Sequence, residues 1–270
     1  MRVQVLVAAM NQTDHSLLSD MNIQSDVIVG NQCDRNEIED FEWNGFDVKY
    51  LSFSEKGVGL NRNNALMRAD GDILLFADDD LRYRDGYPEM VVRVFQEHPD
   101  ADMIIFNLDE EKKDTAVNRY VIKQVKKVGW LNFLRYGAAR IAVKRQAVLN
   151  NGISFHLCFG GGTDHQHGED NIFIADCLRK KLKIYTVPDV LATLMDVRQS
   201  TWHKGYDNEK YLKDQGCLYW NISRRWWRLI CAQDAVRYRN RYNNDIIGAY
   251  KTMVRGVNEM NSRTNSDGNR

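Results

Sequence analysis

Three consecutive carboxylates, Asp78-Asp79-Asp80, directly follow an apolar run of strand length at residues 73–77. Adjacent negative charges repel one another, and a divalent cation is the specific way to relieve that repulsion. Carboxylate oxygens suit Mg²⁺ or Mn²⁺, which proteins usually hold with one or two carboxylates together with substrate phosphates. The triplet therefore indicates a metal and diphosphate site, and a solvated acidic turn is the alternative.

A glycine turn upstream opens a predicted helix over residues 57–67, and Arg62 lies near its start. Arginine can reach phosphate oxygens, and the backbone N–H groups at a helix start also favour anions. Asp34 follows the second predicted strand, where it could meet a ribose or a base edge, although helix capping is its commoner role. These residues favour a phosphate-bearing ligand beside the triplet.

Strands and helices that must position these side chains alternate along the first two-thirds of the chain. The apolar patterns predict strands at residues 3–9, 26–30, 47–51, 73–77, 103–106, 139–143 and 183–187, the last ended by Pro188. They predict helices at residues 57–67, 87–96 and 171–180. This alternation is typical of an α/β fold with a mostly parallel sheet, whose ligands bind at the carboxyl ends of the strands.

The run from Gly57 to Asp80, together with the later Gly168-Glu169-Asp170-Asn171, resembles family 2 glycosyltransferases. The resemblance covers about residues 1–205 and includes the order of the motifs; it is strongest to the bacterial enzymes that build capsule, exopolysaccharide or lipopolysaccharide glycans. It implies a GT-A fold, which is Rossmann-like with a mostly parallel central sheet. The nucleotide-sugar half is then expected at about residues 1–107 and the acceptor half at about 108–205.

The resemblance also implies roles for the carboxylates of the triplet. In that family an Asp-x-Asp motif binds the metal and the nucleotide-sugar diphosphate, so Asp80 is the expected metal ligand and Asp78 is expected to contact the metal or the ribose. The first strand ends Ala-Ala-Met-Asn, where the family usually has Pro-Thr-Tyr-Asn. The expected contacts to the nucleotide sugar are Ala9, Asn11, Asp34, Arg62, Asp78 and Asp79.

The pair Glu169-Asp170 stands at the start of the predicted helix over residues 171–180. An inverting sugar transfer needs a base that takes the proton of the acceptor hydroxyl as that hydroxyl attacks the anomeric carbon. In the family the Asp of this pair is that base, so the resemblance assigns the catalytic role to Asp170, with Glu169 as the second choice. The structural alternative is that both acidic residues only favour the positive end of the helix dipole.

Trp202, His203 and Lys204 follow the last predicted strand. Some GT-A enzymes use a late histidine as a third metal ligand, and His203 is the candidate here, with packing beside Trp202 as the alternative. Lys204 is expected to neutralise the leaving diphosphate, and Trp202 is expected to stack on a sugar.

The segment 156–167 combines histidines and a cysteine with the glycine-rich stretch 159–163. His165 and His167, beside Asp164, Cys158 and His156, raise zinc binding as an alternative, but their spacing matches no familiar structural zinc site. The glycines favour a mobile loop that closes over donor and acceptor and excludes water, because hydrolysis of the donor is the side reaction to avoid.

The formal net charge of the 270 residues is +0, which excludes a generally basic nucleic-acid binder. The charge is nevertheless segregated, because residues 201–270 hold 13 basic and 7 acidic side chains. We expect residues 206–260 to form a helical appendage and the polar residues 261–270 to be a disordered tail. The basic aromatic stretch 224–230 either packs on the catalytic domain or lies at an anionic membrane surface, and both can hold.

Five scattered cysteines without a CxxC motif favour free thiols in a reducing cytosol, and no apolar run reaches 18 residues. The expected location is therefore cytoplasmic, with the inner face of the plasma membrane as the site for a lipid-linked acceptor.

The resemblance thus implies a metal-dependent, inverting glycosyltransferase, of the hexosyltransferase type. It would use Mn²⁺ or Mg²⁺ to move a sugar from a nucleotide donor, expected to be UDP-linked, to a glycan or lipid-linked acceptor in surface polysaccharide synthesis. A nucleotidyltransferase on a similar sheet is one alternative, although the position after the first strand lacks the basic glycine-rich loop such enzymes need. An inactive module that binds nucleotide sugars or glycans is the other.

Overall fold

The computed structural model of the protein describes residues 1–111, 120–195 and 208–267, with side chains as far as residue 262. Its strands are β1 (Val3–Met10), β2 (Asp26–Gln32), β3 (Glu37–Trp43), β4 (Phe46–Phe53), β5 (Ile73–Asp78), β6 (Leu81–Tyr83), β7 (Met103–Glu110), β8 (Lys126–Lys127), β9 (Ile141–Lys144) and β10 (Ile184–Leu194). Its α-helices are α1 (Ser16–Asp20), α2 (Val58–Arg68), α3 (Tyr87–Glu97), α4 (Arg145–Leu149), α5 (Glu169–Arg179), α6 (Glu209–Ile222), α7 (Trp227–Arg237) and α8 (Ile246–Asp267).

A single mixed sheet runs through the described residues in the order β3-β4-β2-β1-β5-β9-β7-β10-β6, with β8 paired to β10. The four neighbours β4, β2, β1 and β5 are parallel, as are β7 and β10. Strand β9 lies antiparallel between β5 and β7. The carboxyl ends of β1, β2 and β5 therefore meet at one edge, as the alternation of strands and helices predicts.

Alternate side chains of the central strands enter two separate cores. Leu6 and Phe76 belong to the core on one face of the sheet, whereas Val5, Val7 and Ala77 belong to the core on the other face. Because both faces are covered, the strands are apolar throughout, which is the reason they appear as uninterrupted apolar runs in the sequence.

Strand β10 corrects one sequence-based prediction, because it continues through Pro188 to Leu194. The pairing of β10 with β7 shifts register between Thr186 and Val190 and again before Ala192, so the proline lies within an irregular stretch of the pairing. Proline is tolerated in a sheet at such bulges. The Asn107 side chain donates to the Pro188 carbonyl at 3.0 Å, which holds the irregular stretch against β7.

The three C-terminal helices pack on the part of the chain that contains the sheet. Leu218 of α6, Trp227 of α7 and Met253 of α8 join the same core as Leu6 and Phe76. Within the basic aromatic stretch 224–230, Trp227 is buried in this core and Ile230 packs against it, whereas Trp226 and Leu229 are exposed.

Glycines set the close crossing of α6 and α8. A β-carbon at Gly216 would lie 2.1 Å from the Met253 carbonyl oxygen, and one at Gly256 would lie 2.5 Å from the Lys213 carbonyl oxygen.

Helix α8 runs to Asp267, so residues 261–267 are helical and not the start of a disordered tail. Once packing has nucleated a helix, adding further residues to it costs little free energy. The polar composition of residues 261–270 did not reveal this extension. Among the described residues, no helix is both long and apolar enough to cross a membrane.

Candidate functional site

The loop after β1 is held by a buried asparagine at the end of β2. The Asn31 side chain accepts from the Gln12 N–H at 2.9 Å and donates to the Gln12 carbonyl at 3.0 Å. Asn31 is fully buried, and it also donates to the Ser52 hydroxyl. Sequence reasoning missed Asn31 and Gln12, although a polar residue that ends an otherwise apolar strand was an available signal.

Residues 11–12 and 33–35 lie together at this edge of the sheet. The Asn11 N–H donates to the Gln32 carbonyl at 2.9 Å, and Arg35 donates to the Gln12 carbonyl at 3.3 Å. Asn11 has a left-handed backbone with φ of 54°, which turns the chain out of the strand. Asp34, which is exposed, follows the end of β2 as predicted from the sequence.

The position of the Ala9 side chain differs from the prediction that it lines a base pocket. Its side chain is buried in the core that contains Val5 and Val7. Side chains alternate between the two faces along a strand, and the parity of β1 directs the Ala9 methyl group to the core. Contact between Ala9 and a ligand would therefore have to use its backbone.

The three carboxylates of the triplet have different surroundings. Asp78 ends β5 and pairs with Arg62 at 2.5 Å. The Asp79 carboxylate accepts from the Met10 N–H at 3.3 Å, which brings it against the end of β1. The Asp80 carbonyl accepts from the Met195 N–H at 2.8 Å, so the end of β10 is tied to the triplet.

Arg62 connects the two acidic motifs. Its guanidinium nitrogens contact Asp78 and, at 3.0 Å, Glu169, and its side chain is only 4% exposed. Burial by itself lowers the pKa of Arg62, but the charges of Asp78 and Glu169 outweigh this and raise that pKa. Arg62 was predicted to face the nucleotide; the structure directs it between carboxylates. Its Nε atom is buried and has no hydrogen-bond partner among the described residues.

Helix α5 begins with the second acidic pair. Gly168 has a φ of 107°, and a β-carbon there would lie 2.8 Å from Leu218 of α6, so the turn into α5 needs glycine. The Asp170 carboxylate accepts from the Asn171 N–H at 2.7 Å. Desolvation and the neighbouring charge of Glu169 raise the pKa of Asp170 to about 7, against the opposing effect of Arg62.

The segment before α5 is fastened to α6 by Asp214, which is buried. The Asp214 carboxylate contacts His165 Nδ1 at 2.9 Å, accepts from the Gln166 N–H at 3.0 Å, and pairs with Lys210 at 2.7 Å. The hydrogen bonds from His165 and Lys210 outweigh desolvation and lower the pKa of Asp214. The residues that lead to Glu169-Asp170 are thus held by the appendage.

The glycine stretch 159–163 is tied to α2 and to the site. The Val58 N–H donates to the Gly161 carbonyl at 3.0 Å, and the Gly160 N–H donates to the His165 carbonyl at 2.8 Å. A β-carbon at Gly160 would lie 2.7 Å from the Glu169 carboxyl carbon. The absence of a side chain at Gly160 therefore leaves room for Glu169 to reach Arg62.

A cleft of about 1200 Å³ opens beside Glu169 and Asp170. Its lining includes the turn at residues 130–135, the start of α5, and residues of α6, α7 and the link between them. The cleft therefore joins the acidic pair to the basic appendage.

The oxygen ligands that could hold a divalent cation are the carboxylates of Asp78 and Asp80, at the carboxyl end of β5. Within the described residues, no group of three or more His, Cys, Asp or Glu side chains is placed to hold a metal ion, and this includes the histidines of segment 156–167. Two hard oxygen donors fit Mg²⁺ or Mn²⁺ that is also bound by substrate phosphates. Trp202, His203 and Lys204 lie outside the described residues.

The parallel strands, the carboxylates at their ends and the helical C-terminal region define a GT-A-like α/β fold. Residues 10–159 match the family model described as "Glycosyl transferase family 2". The chain belongs to this family and is a glycosyltransferase. No curated protein sequence matches the chain.

Solved structures of S. aureus TarS share the fold. The crystal structure of TarS 1–349 in complex with UDP-GlcNAc is 15% identical, with a TM-score of 0.63, over 93% of this chain and 82% of that one. TarS 1–349 alone is 13% identical, with a TM-score of 0.62, over 95% and 92%. In the structure of S. aureus TarS with 13% identity and a TM-score of 0.62, the match covers 94% of this chain but 55% of that chain.

Proposed function

We propose that the protein transfers a sugar, with inversion, from a UDP-linked donor to a glycan or lipid-linked acceptor in the cytoplasmic synthesis of a surface polysaccharide. Family membership supports sugar transfer, and the complex of TarS with UDP-GlcNAc supports a UDP-linked donor. The observation that carries the proposal is the row of charges Asp78, Arg62, Glu169 and Asp170. This row connects the strand end where a nucleotide binds in such folds to the cleft.

The donor end consists of the loops after β1, β2 and β5. Asn31 fixes the loop at Gln12, and the exposed Asp34 lies where a carboxylate can accept from a ribose or base. Asp80, with Asp78, is the proposed ligand of Mg²⁺ or Mn²⁺. A divalent cation bound there would stabilise the negative charge of the leaving diphosphate.

The acceptor end uses Asp170 as a base. The acceptor hydroxyl attacks the anomeric carbon and gives its proton to the Asp170 carboxylate. As the new bond forms on one face of the anomeric carbon, the bond to the diphosphate oxygen on the other face breaks, and its electron pair leaves with the nucleoside diphosphate. A pKa of about 7 suits this step, because the carboxylate is a stronger base than a solvated aspartate and is still largely ionised slightly above pH 7.

Arg62 is a proposed positioning residue that fixes the donor end of the site relative to the acceptor end. Its contacts with Asp78 and Glu169 set the distance between the strand end and the start of α5. Its positive charge also keeps Asp170 from becoming still more basic.

Incubation of the protein with a panel of nucleotide sugars, with and without Mn²⁺, tests the proposal. We expect Mn²⁺-dependent release of a nucleoside diphosphate and a free sugar when no acceptor is present. Release of a nucleoside monophosphate with pyrophosphate would indicate a nucleotidyltransferase. Tight binding of a nucleotide sugar without turnover, in the presence of a glycan acceptor panel, would indicate a binding module.

A further inference from the structure

The cleft beside Asp170 is lined by both acidic and basic side chains. Glu169 and Asp170 contribute negative charge where α5 begins. Arg135, from the turn at 130–135, and Arg224 and Arg225, from the link between α6 and α7, contribute positive charge. The residues that would hold the reacting hydroxyl and these arginines therefore come from different elements of the cleft.

These three arginines are exposed and available to a ligand. None of them forms an ion pair with a carboxylate in the part of the chain that the structure describes. By contrast, Arg179, which also lines the cleft, pairs with Asp176 and donates to the Asn221 and Ile222 carbonyls. Arg135, Arg224 and Arg225 instead lie over aromatic rings, at 5.0, 4.3 and 4.9 Å from the ring centroids. Stacking fixes these guanidinium groups in place while their N–H donors stay free for anions.

Large apolar side chains are exposed along the same cleft. Trp130 is 50% exposed, Trp226 is 52% exposed and Leu131 is 97% exposed. Both indole rings line the cleft, Trp130 from the turn at 130–135 and Trp226 from the link between α6 and α7. Exposed aromatic rings beside charged groups can cover the apolar face of a sugar while the polar groups stay hydrated or bind arginine.

We propose that this cleft binds an acidic glycan as the acceptor, with its negatively charged groups on Arg135, Arg224 and Arg225 and its sugar rings against Trp130 and Trp226. The inference rests on the proposed function, because it assigns the chemistry of the acceptor to the same site. The sugar that receives the transfer is uncharged at its reacting end, since Glu169 and Asp170 repel an anion there. The acidic groups belong to sugars farther along the chain.

The shape of this surface favours a glycan over a lipid bilayer. The arginines and indoles face a cleft of about 1200 Å³ that leads to Asp170, and a chain molecule can enter such a space. A bilayer surface contacts protruding residues and leaves a concave space unfilled. Membrane binding is therefore an outcome that the experiment must separate from glycan binding.

A binding titration with matched probes tests the inference. Isothermal titration calorimetry compares hexagalacturonate and a phosphorylated hexamannoside with the neutral hexamers of galactose and mannose, and vesicles containing anionic phosphatidylglycerol form a further arm. At low salt we expect at least one acidic hexamer to bind about 10-fold more tightly than its neutral counterpart, and this preference should fall as salt is added. The R224Q/R225Q variant should lose the preference.

Arg228→Gln is the matched control. Arg228 lies 4.9 Å from the Trp227 ring centroid, as Arg225 does from that of Trp226, but it does not line the cleft. This variant should bind like the wild type. Equal binding of acidic and neutral hexamers, an equal loss in Arg228→Gln, or binding of the vesicles alone would overturn the inference.

Donor hydrolysis separates this inference from the proposed function. The R224Q/R225Q variant should still release nucleoside diphosphate from the donor without an acceptor, because neither arginine lies at the donor end. If the wild type hydrolyses a nucleotide sugar but shows no acidic preference, only the acceptor inference fails. If the wild type hydrolyses none of the panel, the proposed function fails.

Discussion

The proposed donor end and the proposed acceptor end are built in opposite ways. The proposed donor end uses neighbouring parallel strands, and the Asp78 side chain there is 44% exposed. The acceptor end uses the start of α5, where the Glu169 side chain is 13% exposed and the pKa of Asp170 is raised to about 7. This contrast agrees with the proposed roles, in which the first end binds a cation and phosphates and the second moves a proton.

The two ends also depend on different parts of the chain. The carboxyl ends of β1, β2 and β5 come together through strand pairing within the first 80 residues. The start of α5 is held by α6, through Leu218 at Gly168 and through Asp214 at His165. Damage to the appendage should therefore affect the acceptor end more than the donor end.

Loss of the proposed base, Asp170, should give the largest effect. Asp170→Asn keeps an oxygen that can accept from the Asn171 N–H but removes the proton acceptor, so kcat for transfer should fall by about 10³-fold. Donor affinity, measured by titration with nucleoside diphosphate, should stay within about 3-fold. A kcat within 10-fold of the wild type would assign the base to another group, and Glu169→Gln then becomes the variant to compare.

Loss of one carboxylate of the triplet should give the next largest effect, and it should fall on the donor end. Asp80→Asn should lower donor hydrolysis and transfer together by about 10²-fold, because it removes a proposed cation ligand. Asp79→Asn is the matched control, since its amide oxygen can still accept from the Met10 N–H. Equal losses in both variants would contradict the assignment of Asp80.

The pH dependence of kcat tests whether the charge of Arg62 sets the pKa of the proposed base, Asp170. Asp170 accepts a proton only when it is ionised, so kcat should fall about 10-fold per pH unit below its pKa of about 7. Arg62→Gln removes a charge that lowers this pKa, so the falling limb should move to higher pH by about one unit. Arg62→Lys should restore much of the wild-type profile. An unchanged limb in Arg62→Gln would show that another group titrates.

Weakening the tie between α5 and the appendage should give the smallest effect. Asp214→Asn removes the charge that pairs with Lys210 and His165, and kcat for transfer should fall about 5- to 10-fold through looser placement of α5. Donor hydrolysis should fall less than transfer. Asp176→Asn, which breaks an exposed pair with Arg179, is the control and should change little. Equal losses of both activities in Asp214→Asn would indicate general destabilisation.

Much of the donor end could be predicted from local patterns. The apolar run at 73–77 and the carboxylates after it specify a strand end, and β5 ends at Asp78. The hairpin of β3 and β4 was missed, although Asn44-Gly45 at its turn, with both φ angles positive, is a strong hairpin signal. The core that buries Ala9 is built by residues of distant segments, such as Tyr87 and Phe106, which the local pattern does not reveal.

Tertiary structure decided the acceptor end. The sequence shows Glu169 and Asp170 beside each other at a helix start, but not the raised pKa of Asp170, which needs desolvation by surrounding residues. Nor does it show that Arg62, 107 residues before Glu169, lies between the two acidic motifs. The sequence by itself determined which residue types follow each strand, because strand and turn patterns are local. Only the packing of distant segments decided which charges meet, because burial and Coulomb energy depend on distance in space.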